Sequence, residues 1–157
     1  MFDANELRRV IGLFATGVTI VTTRDRGGNF YGLTANSVTS VSLVPPLLLV
    51  CVDRKAESFA HFNDSRCFVV NILAANQLDL SKRFAKSGGD KFADVACRPG
   101  KLGVPVIEGS LAAIECRVIE THDAGDHVIH IGEVEHAEAQ GGMPLLFYQG
   151  NYRQLVG

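Results

Sequence analysis

The 157-residue sequence contains no tryptophan, two methionines and five prolines, and it lacks a long apolar segment. Its longest apolar run, residues 43–52, is interrupted by Pro45 and Pro46 and has about half the length of a membrane-spanning helix. Asp3 and Glu6 stand where a secretory signal peptide would carry basic residues. These absences predict a cytoplasmic protein with no membrane segment.

Neither sign of charge is in excess, because 15 Lys and Arg residues face 17 Asp and Glu residues, for a net charge of -2. No basic patch with interleaved aromatic residues is present, so nucleic-acid binding is not expected. The 46% hydrophobic content is that of a globular protein rather than a disordered one. The length predicts a single domain over residues 1–157.

Several frequent site motifs are missing. The four cysteines, at 51, 67, 97 and 116, form neither a C-x-x-C pair nor a zinc-ligand spacing. Those at 51, 67 and 116 lie in apolar runs, where a free thiol acts as a small hydrophobic residue. The glycine-rich motif of dinucleotide-binding folds, the phosphate loop of nucleotide hydrolases and the serine-hydrolase elbow are all absent. A nucleotide would therefore be bound outside these frameworks.

The apolar pattern predicts short helices among many strands. Apolar residues at 7, 10, 11 and 14 share one face of a helix that Gly17 can end. Two further helices are predicted over residues 55–62 and 75–85, and residues 86–103 are predicted to be mostly loop. Strands are predicted at the following segments: 18–23, 30–34, 47–52, 67–73, 111–120 and 127–138, with a further apolar stretch at 143–155. The absence of β-α-β alternation predicts a mainly β fold, an antiparallel barrel or sandwich with flanking helices.

Two polar segments flank the apolar strand at residues 47–52. Residues 34–42 carry five hydroxyl side chains and one amide, which suit a phosphate or the edge of a heteroaromatic ring. The same side chains would also satisfy their own backbone in a polar turn. In the second segment, Arg54 and Lys55 could neutralise a phosphate and Ser58 could donate to it from a helix start, although a solvated helix start has the same composition.

The histidines do not form a metal site by their spacing. His127 and His130 point to opposite faces of one strand, and His136 is six residues beyond His130. His127 follows Gly125 and Asp126 at the start of its strand, where an imidazole could face a cleft and donate a proton near neutral pH. We therefore single out His127 as the candidate catalytic residue and assign no metal ligands.

Ordered motifs spread over nearly the whole chain resemble those of the flavin reductase-like family. They are Ala15–Thr22, Gly32–Ser37 with Thr39–Ser42, Pro45–Asp53, Phe68–Leu73, Gln77 with Arg83–Ala85, Gly125–His127 and Pro144–Tyr148. Each piece is short, but their common order is specific. The sequence is most similar to the small NAD(P)H:flavin reductase components of two-component flavin monooxygenases.

This resemblance implies a homodimeric, FMN-binding split β-barrel with Greek-key-like antiparallel strands. It implies that the flavin is FMN or FAD, that NADH or NADPH is the donor, and that a monooxygenase receives the reduced flavin. The implied flavin-binding residues are Thr34, Ala35, Asn36, Ser37, Ser40, Ser42, Cys51, Asp53, Arg54, Lys55, Ser58, Phe84, Ala85, Tyr148 and Tyr152. His127 would lie where the nicotinamide arrives.

We therefore expect an enzyme that transfers a hydride from NADH or NADPH to a flavin. A flavoprotein oxidase of its own small substrate would need a further pocket with dedicated polar groups, which the sequence does not indicate. A non-catalytic flavin- or haem-binding sensor is the alternative from another class, and negligible NADH oxidation by the flavin-loaded protein would distinguish it.

Overall fold

The structure is a computed structural model that describes residues 1–157, and it is built mainly from antiparallel strands. The helices are α1 (Ala4–Ile11), α2 (Phe59–Ser65) and α3 (Leu78–Phe84), the last preceded by a 3-10 turn at Ala75–Gln77. The strands are β1 (Thr16–Gly17), β2 (Thr19–Arg24), β3 (Phe30–Ala35), β4 (Val38–Leu43), β5 (Pro46–Asp53), β6 (Cys67–Ile72), β7 (Cys97–Pro99), β8 (Pro105–Ile107), β9 (Ala112–Ala124), β10 (His127–Ala139), β11 (Leu145–Tyr148) and β12 (Asn151–Gln154). No helix is long and apolar enough to cross a membrane.

Seven strands form one sheet in the order β3-β2-β6-β9-β10-β5-β4, and every neighbouring pair is antiparallel. The two edge strands, β3 and β4, are consecutive in the chain and separated only by Asn36 and Ser37. Because so short a link joins opposite edges, the sheet must curl until those edges approach each other. No ladder joins β3 to β4, so the barrel stays split along this line. The predicted mainly β, split-barrel fold is confirmed.

The barrel interior is filled by alternate residues of its strands, as the period of two requires. On β5, Leu48, Val50 and Val52 are buried against Phe62 of α2 and Phe68 of β6. The intervening residues of β5 are only half-buried. The expectation that residues 47–52 form a strand covered on both faces is therefore wrong, because β5 lies next to the edge strand and one of its faces is open.

Two smaller sheets complete the fold. Strands β1, β11 and β12 form a three-stranded sheet, and β7 pairs with β8. Helix α1 begins at its cap Asp3, whose carboxylate accepts from the N–H of Asn5, and none of its residues is buried. The helix therefore presents its apolar face outward.

Four element assignments from the sequence need correction. The first helix, predicted to include residue 14 and to end at Gly17, ends at Ile11 with Gly12 as its C-cap. Residues 54–58 are turns and the helix predicted at 55–62 begins only at Phe59, so Ser58 precedes it. Residues 38–43, where no strand was predicted and a polar turn was one of two alternatives for residues 34–42, form β4, since an edge strand can expose alternate hydroxyl side chains. The loop predicted at 86–103 contains β7, whose proline lies in a short two-stranded ladder.

Candidate functional site

Two adjoining cavities lie beside the split of the barrel, and they share Thr34 and Ala85 as wall residues. The first, of about 360 Å³, has three lysines in its wall, and we call it the lysine cavity. The second, of about 240 Å³, contains Phe147 and Tyr152, and we call it the aromatic cavity. Together they make one groove with a cationic end and a mainly apolar end.

The lysine cavity is formed by three segments that are distant in the sequence. They are the end of β3, the turn after β5, and the end of α3 with the loop that follows it. Its charged wall residues are Asp53, Lys55, Glu57, Lys86 and Lys91. Three ammonium groups against two carboxylates give the wall a net positive charge, which favours an anionic group.

Ser58 shows that the lysine cavity is suited to such a group. Its residue is only 3% exposed, and its hydroxyl makes no hydrogen bond to the protein although it caps the start of α2. The hydroxyl is in the wall of the cavity and has no protein partner, so it is free to form a hydrogen bond with a group bound there. A phosphate ester of a flavin, with three acceptor oxygens, would satisfy Ser58 and the lysines together.

Local hydrogen bonds fix the turn that carries Ser58. The carboxylate of Asp53 accepts from the N–H of Lys55 at 2.9 Å, and the carbonyl of Asp53 accepts from the N–H of Ala56 at 3.0 Å. This is the arrangement by which Asp favours turns over continued strand. The turn therefore directs Lys55 and Ser58 to the same cavity.

A chain of hydrogen bonds through Ser81 holds the aromatic cavity together. The Thr34 hydroxyl donates to the Ser81 carbonyl at 2.6 Å, and the Ser81 and Tyr152 hydroxyls are 2.7 Å apart. Tyr152 also packs edge-to-face on Phe147, with ring centroids 5.3 Å apart. Ser81 is completely buried, so β3, α3 and the β11–β12 hairpin are connected across the site.

Gly32 allows α3 to approach β3 closely. A Cβ atom at Gly32 would lie 3.0 Å from the ring of Phe84, and Phe84 itself packs edge-to-face on Phe92 at 5.0 Å. A larger residue would push the end of α3 away from the strand. The absence of a side chain here therefore sets the position of Ala85, which belongs to both cavities.

In the hydroxyl-rich segment 34–42, some side chains make hydrogen bonds to the protein and others make none. Thr34 donates to Ser81, Ser37 to the carbonyl of Cys51 at 3.0 Å, and Thr39 to the carbonyl of Ser40 at 3.3 Å. The side chains of Asn36, Ser40 and Ser42 have no hydrogen bond to the protein. Three of the five hydroxyls thus satisfy backbone, and at the aromatic cavity this segment contributes Thr34, Ala35 and Asn36.

Arg54 and His127 lie on the edge of the site. Arg54 does not line either cavity; it bonds the Asp123 carboxylate at 2.5 Å and the Gly125 carbonyl at 3.3 Å. His127 is opposite Asp53 in the β5–β10 ladder, and its Nδ1 is 2.7 Å from the Asp126 carboxylate. This hydrogen bond and the nearby imidazole lower the pKa of Asp126. Arg54 therefore secures the turn that carries His127.

Further residues assigned from the resemblance do not line either cavity, among them Ser37, Ser40, Ser42, Cys51 and His127. Burial raises the pKa of the Cys51 thiol, and it raises that of Cys116 to about 12. Both thiols are therefore protonated at neutral pH, which argues against thiolate chemistry. Tyr148 is also outside the cavities, because adjacent residues of β11 point to opposite sides and Phe147 faces inward.

The sequence interpretation missed three of the main wall residues, Lys86, Lys91 and Phe147. The two lysines flank Gly88 and Gly89 directly after a predicted helix, and this combination of glycine and lysine was the available signal for an anion-binding loop. For Phe147 the signal was its cross-strand partner, since it is paired with Tyr152.

Comparisons with known proteins identify the family to which the chain belongs. A profile of the flavin reductase like domain matches residues 11–156. The chain is 43% identical over 152 residues to a probable flavin reductase of Rhizobium meliloti, covering 97% of this chain but only 49% of that protein. It is 42% identical over 153 residues to the flavin-dependent monooxygenase reductase subunit HsaB of Mycobacterium tuberculosis, covering 96% and 81% of the two chains.

A solved structure extends the likeness to three dimensions. The NADH:FAD oxidoreductase of Streptomyces globisporus, in complex with NAD and FAD fragments, superposes with a TM-score of 0.92 at 38% identity, covering 98% of this chain and 93% of that one. Sequence profile, relatives and fold agree over almost the whole length. The chain belongs to the flavin reductase-like domain family.

Proposed function

We propose that this protein transfers a hydride from NADH or NADPH to FMN or FAD and supplies the reduced flavin to a partner monooxygenase. The observation that carries this proposal is the groove in which a cationic cavity with an unpartnered buried serine adjoins an aromatic cavity. A flavin has the same division, with a phosphate at one end and an aromatic ring system at the other. The reductase names of the relatives support the assignment.

The phosphate end of the flavin would be held in the lysine cavity. Lys55, Lys86 and Lys91 supply charge, and the Ser58 hydroxyl supplies a directed hydrogen bond. Phe84 and Ala85 then separate this end from the aromatic cavity. Binding energy at the phosphate thus orients the ring system at the far end of the groove.

The aromatic cavity would hold the ring system. Bound there, the flavin supplies the redox chemistry, since its ring accepts a hydride from a reduced nicotinamide. Val18, Ala35, Phe147 and Tyr152 cover apolar surface and exclude water, while Asn36 brings a short polar side chain to the ring edge. Because Ser81 anchors both Thr34 and Tyr152, this wall is ordered before the ligands bind.

His127 would orient the nicotinamide carboxamide. A carboxylate can only accept, so the Nδ1–H of His127 donates to Asp126 and leaves Nε2 as the free nitrogen. In the neutral imidazole Nε2 is an acceptor, which suits the amide N–H₂ group of the carboxamide. Hydride transfer itself needs no acid, so orientation rather than proton donation is the role assigned to His127.

A second copy of the chain would complete the groove. Helix α1 and strands β2 and β4 enclose an open cavity of about 830 Å³, which we call the α1 groove. Ile11 and Phe14 are 61% and 72% exposed there, an unusual amount for large apolar residues of a folded chain. Asn36 and Phe147 line both the α1 groove and the aromatic cavity. A homodimer closed over this surface would therefore also cover the ring of the flavin.

We place the enzyme in the cytoplasm, where NADH is available and its four free cysteines would stay reduced.

The function is tested by anaerobic oxidation of NADH and NADPH in the presence of FMN, FAD or riboflavin. Loss of flavin absorbance over many turnovers is expected with at least one donor. Flavin binding without reduction by either donor would contradict a reductase and indicate an oxidase or a sensor.

His127→Ala tests the nicotinamide assignment. We expect the KM for NADH to rise about tenfold, the loss of one oriented hydrogen bond, with flavin affinity changed less than twofold. The measurement combines steady-state kinetics with a flavin fluorescence titration. His122→Ala, at an exposed position on β9 of the same hairpin, is the matched control. A large loss of flavin affinity with an unchanged KM for NADH would show that His127 contacts the flavin instead.

A further inference from the structure

The carboxylate of Glu57 links the two charged walls of the lysine cavity. Its Oε1 accepts from the N–H of Gly88 at 2.7 Å, and its Oε2 lies 3.9 Å from the Nζ of Lys91. Glu57 belongs to the turn after β5, whereas Gly88 and Lys91 belong to the loop after α3. This single side chain therefore connects the two segments that would enclose a phosphate.

The loop that Glu57 holds turns sharply at two glycines. Gly88 and Gly89 have φ values of +85° and +75°, which L side chains rarely adopt. This turn brings Lys91 back toward the cavity, where its side chain is only 14% exposed, compared with 48% for Glu57. The largely covered side chain of Lys91 is thus paired with a carboxylate that reaches it from the more open side.

We propose that Glu57 determines how strongly the site prefers phosphorylated flavins, because it both positions the Lys91 loop and offsets one positive charge of the cavity. The inference rests on the proposed function, since it assumes that the lysine cavity holds the flavin phosphate. Without the Glu57 charge, the charged residues of the wall are three lysines and Asp53. An FMN phosphate, which carries about two negative charges, then meets a more positive site. Riboflavin has no phosphate and is insensitive to this change.

Glu57→Gln separates the two roles of the side chain. Glutamine keeps an oxygen acceptor for the N–H of Gly88 but removes the charge. We expect the FMN dissociation constant to fall about three- to tenfold at low salt and the riboflavin constant to change less than twofold. The FMN effect shrinks in high salt because mobile ions screen it. Glu57→Ala loses the loop contact as well, and we expect it to weaken the binding of both flavins.

The measurement is a fluorescence titration of each oxidised flavin at two salt concentrations, with the folded state of every variant checked by thermal unfolding. Lys91→Met is the opposite charge change, and we expect it to weaken FMN at least tenfold with riboflavin unaffected. Glu133→Gln is the matched control, since Glu133 is exposed on β10 and makes no side-chain hydrogen bond.

An unchanged ratio of FMN to riboflavin affinity in Glu57→Gln would overturn the inference, as would equal weakening of both flavins. If the wild-type protein reduces flavins but this ratio does not move, the role of Glu57 alone is disproved. If the wild-type protein binds neither FMN nor riboflavin, the proposed function fails and the inference fails with it.

Discussion

His130 is a histidine buried in the interior of the barrel. It lies on β10 and is 1% exposed, its ring is stacked on Phe62 with centroids 5.2 Å apart, and neither ring nitrogen has a hydrogen-bond partner. Burial lowers the pKa of His130 below its ordinary value. The folded protein therefore keeps this imidazole neutral under conditions in which the unfolded chain protonates it.

The sign of the pH dependence follows from this depressed pKa. The stability associated with neutral His130 is fully present above the unfolded pKa of about 6.5 and is lost as the pH falls through the folded pKa, because protonation favours the unfolded state. We expect the unfolding free energy of the wild type to decrease below pH 6.5, by up to about 1.4 kcal/mol per pH unit from this group.

Urea unfolding between pH 5 and 8 measures this effect. His130→Leu removes the titrating group and is expected to flatten the decline, whereas His122→Gln, at an exposed position, should leave the slope as in the wild type. If the free energy of unfolding of His130→Leu decreases with falling pH as steeply as that of the wild type, groups other than His130 cause the decrease.

At the scale of elements, β9 and β10 form the longest ladder of the fold, and Gly132 stands at an irregularity in its register. A Cβ atom at Gly132 would lie 2.7 Å from both the Cβ of Cys116 and the ring of Phe68. These neighbours are buried core atoms that have no room to move. The absence of a side chain at Gly132 therefore allows β10 to pack closely against Cys116 and Phe68.

Gly132→Ala is expected to reduce the free energy of unfolding by about 1–3 kcal/mol, the usual effect of overpacking a core. Gly27→Ala is the control, since its nearest neighbour, the carboxylate of Asp25 at 3.3 Å, belongs to an exposed turn and not to the core. A change below about 0.5 kcal/mol is expected there. Equal effects of the two substitutions in urea unfolding would show that the core yields more easily than its packing indicates.

Elements with a strong local sequence pattern could be predicted, whereas elements that depend on contacts with other parts of the chain could not. The β-branched run at 18–23 and the alternation in 127–138 correspond to β2 and β10 almost residue for residue. Strand β4 was missed because its hydroxyl side chains suit a turn as well as an exposed edge. The start of α2 was misplaced since the Asp53 turn competes with the helix for the same residues.

The candidate site was predictable where a motif marked it, as at Thr34–Asn36 and Asp53–Ser58. It was not predictable where tertiary contacts create it. Lys91 belongs to the lysine cavity only because Glu57 and the two glycines fold its loop back, and Ser81 acquires its role only when α3 meets the β11–β12 hairpin.

At the scale of the whole molecule, the α1 groove is a surface with large apolar residues that the chain itself does not cover. If the α1 groove is the dimer interface, a charge within it should separate the subunits, since an unpaired charge is costly at a buried apolar contact. We expect Ile11→Asp and Phe14→Asp to elute with the mass of one chain in size exclusion with light scattering. The wild type should have the mass of two chains.

Val156→Asp is the control for this experiment, because Val156 is almost fully exposed and lies outside the groove. The monomeric variants should also bind flavin at least tenfold more weakly, since Asn36 and Phe147 would lose their cover. Dimers that persist in both variants would place the interface elsewhere on the molecule.

Asn36 and Phe147 line both the α1 groove and the aromatic cavity. This shared lining has a consequence for flavin binding and for subunit association. If the α1 groove is the dimer interface, flavin binding and subunit association are thermodynamically linked, and such linkage is reciprocal. Each flavin that binds then tightens the dimer by the same factor by which dimerisation tightens the flavin. Apparent flavin affinity would thus rise with the concentration of the protein itself, and dilution would release flavin and separate the subunits in one coupled step.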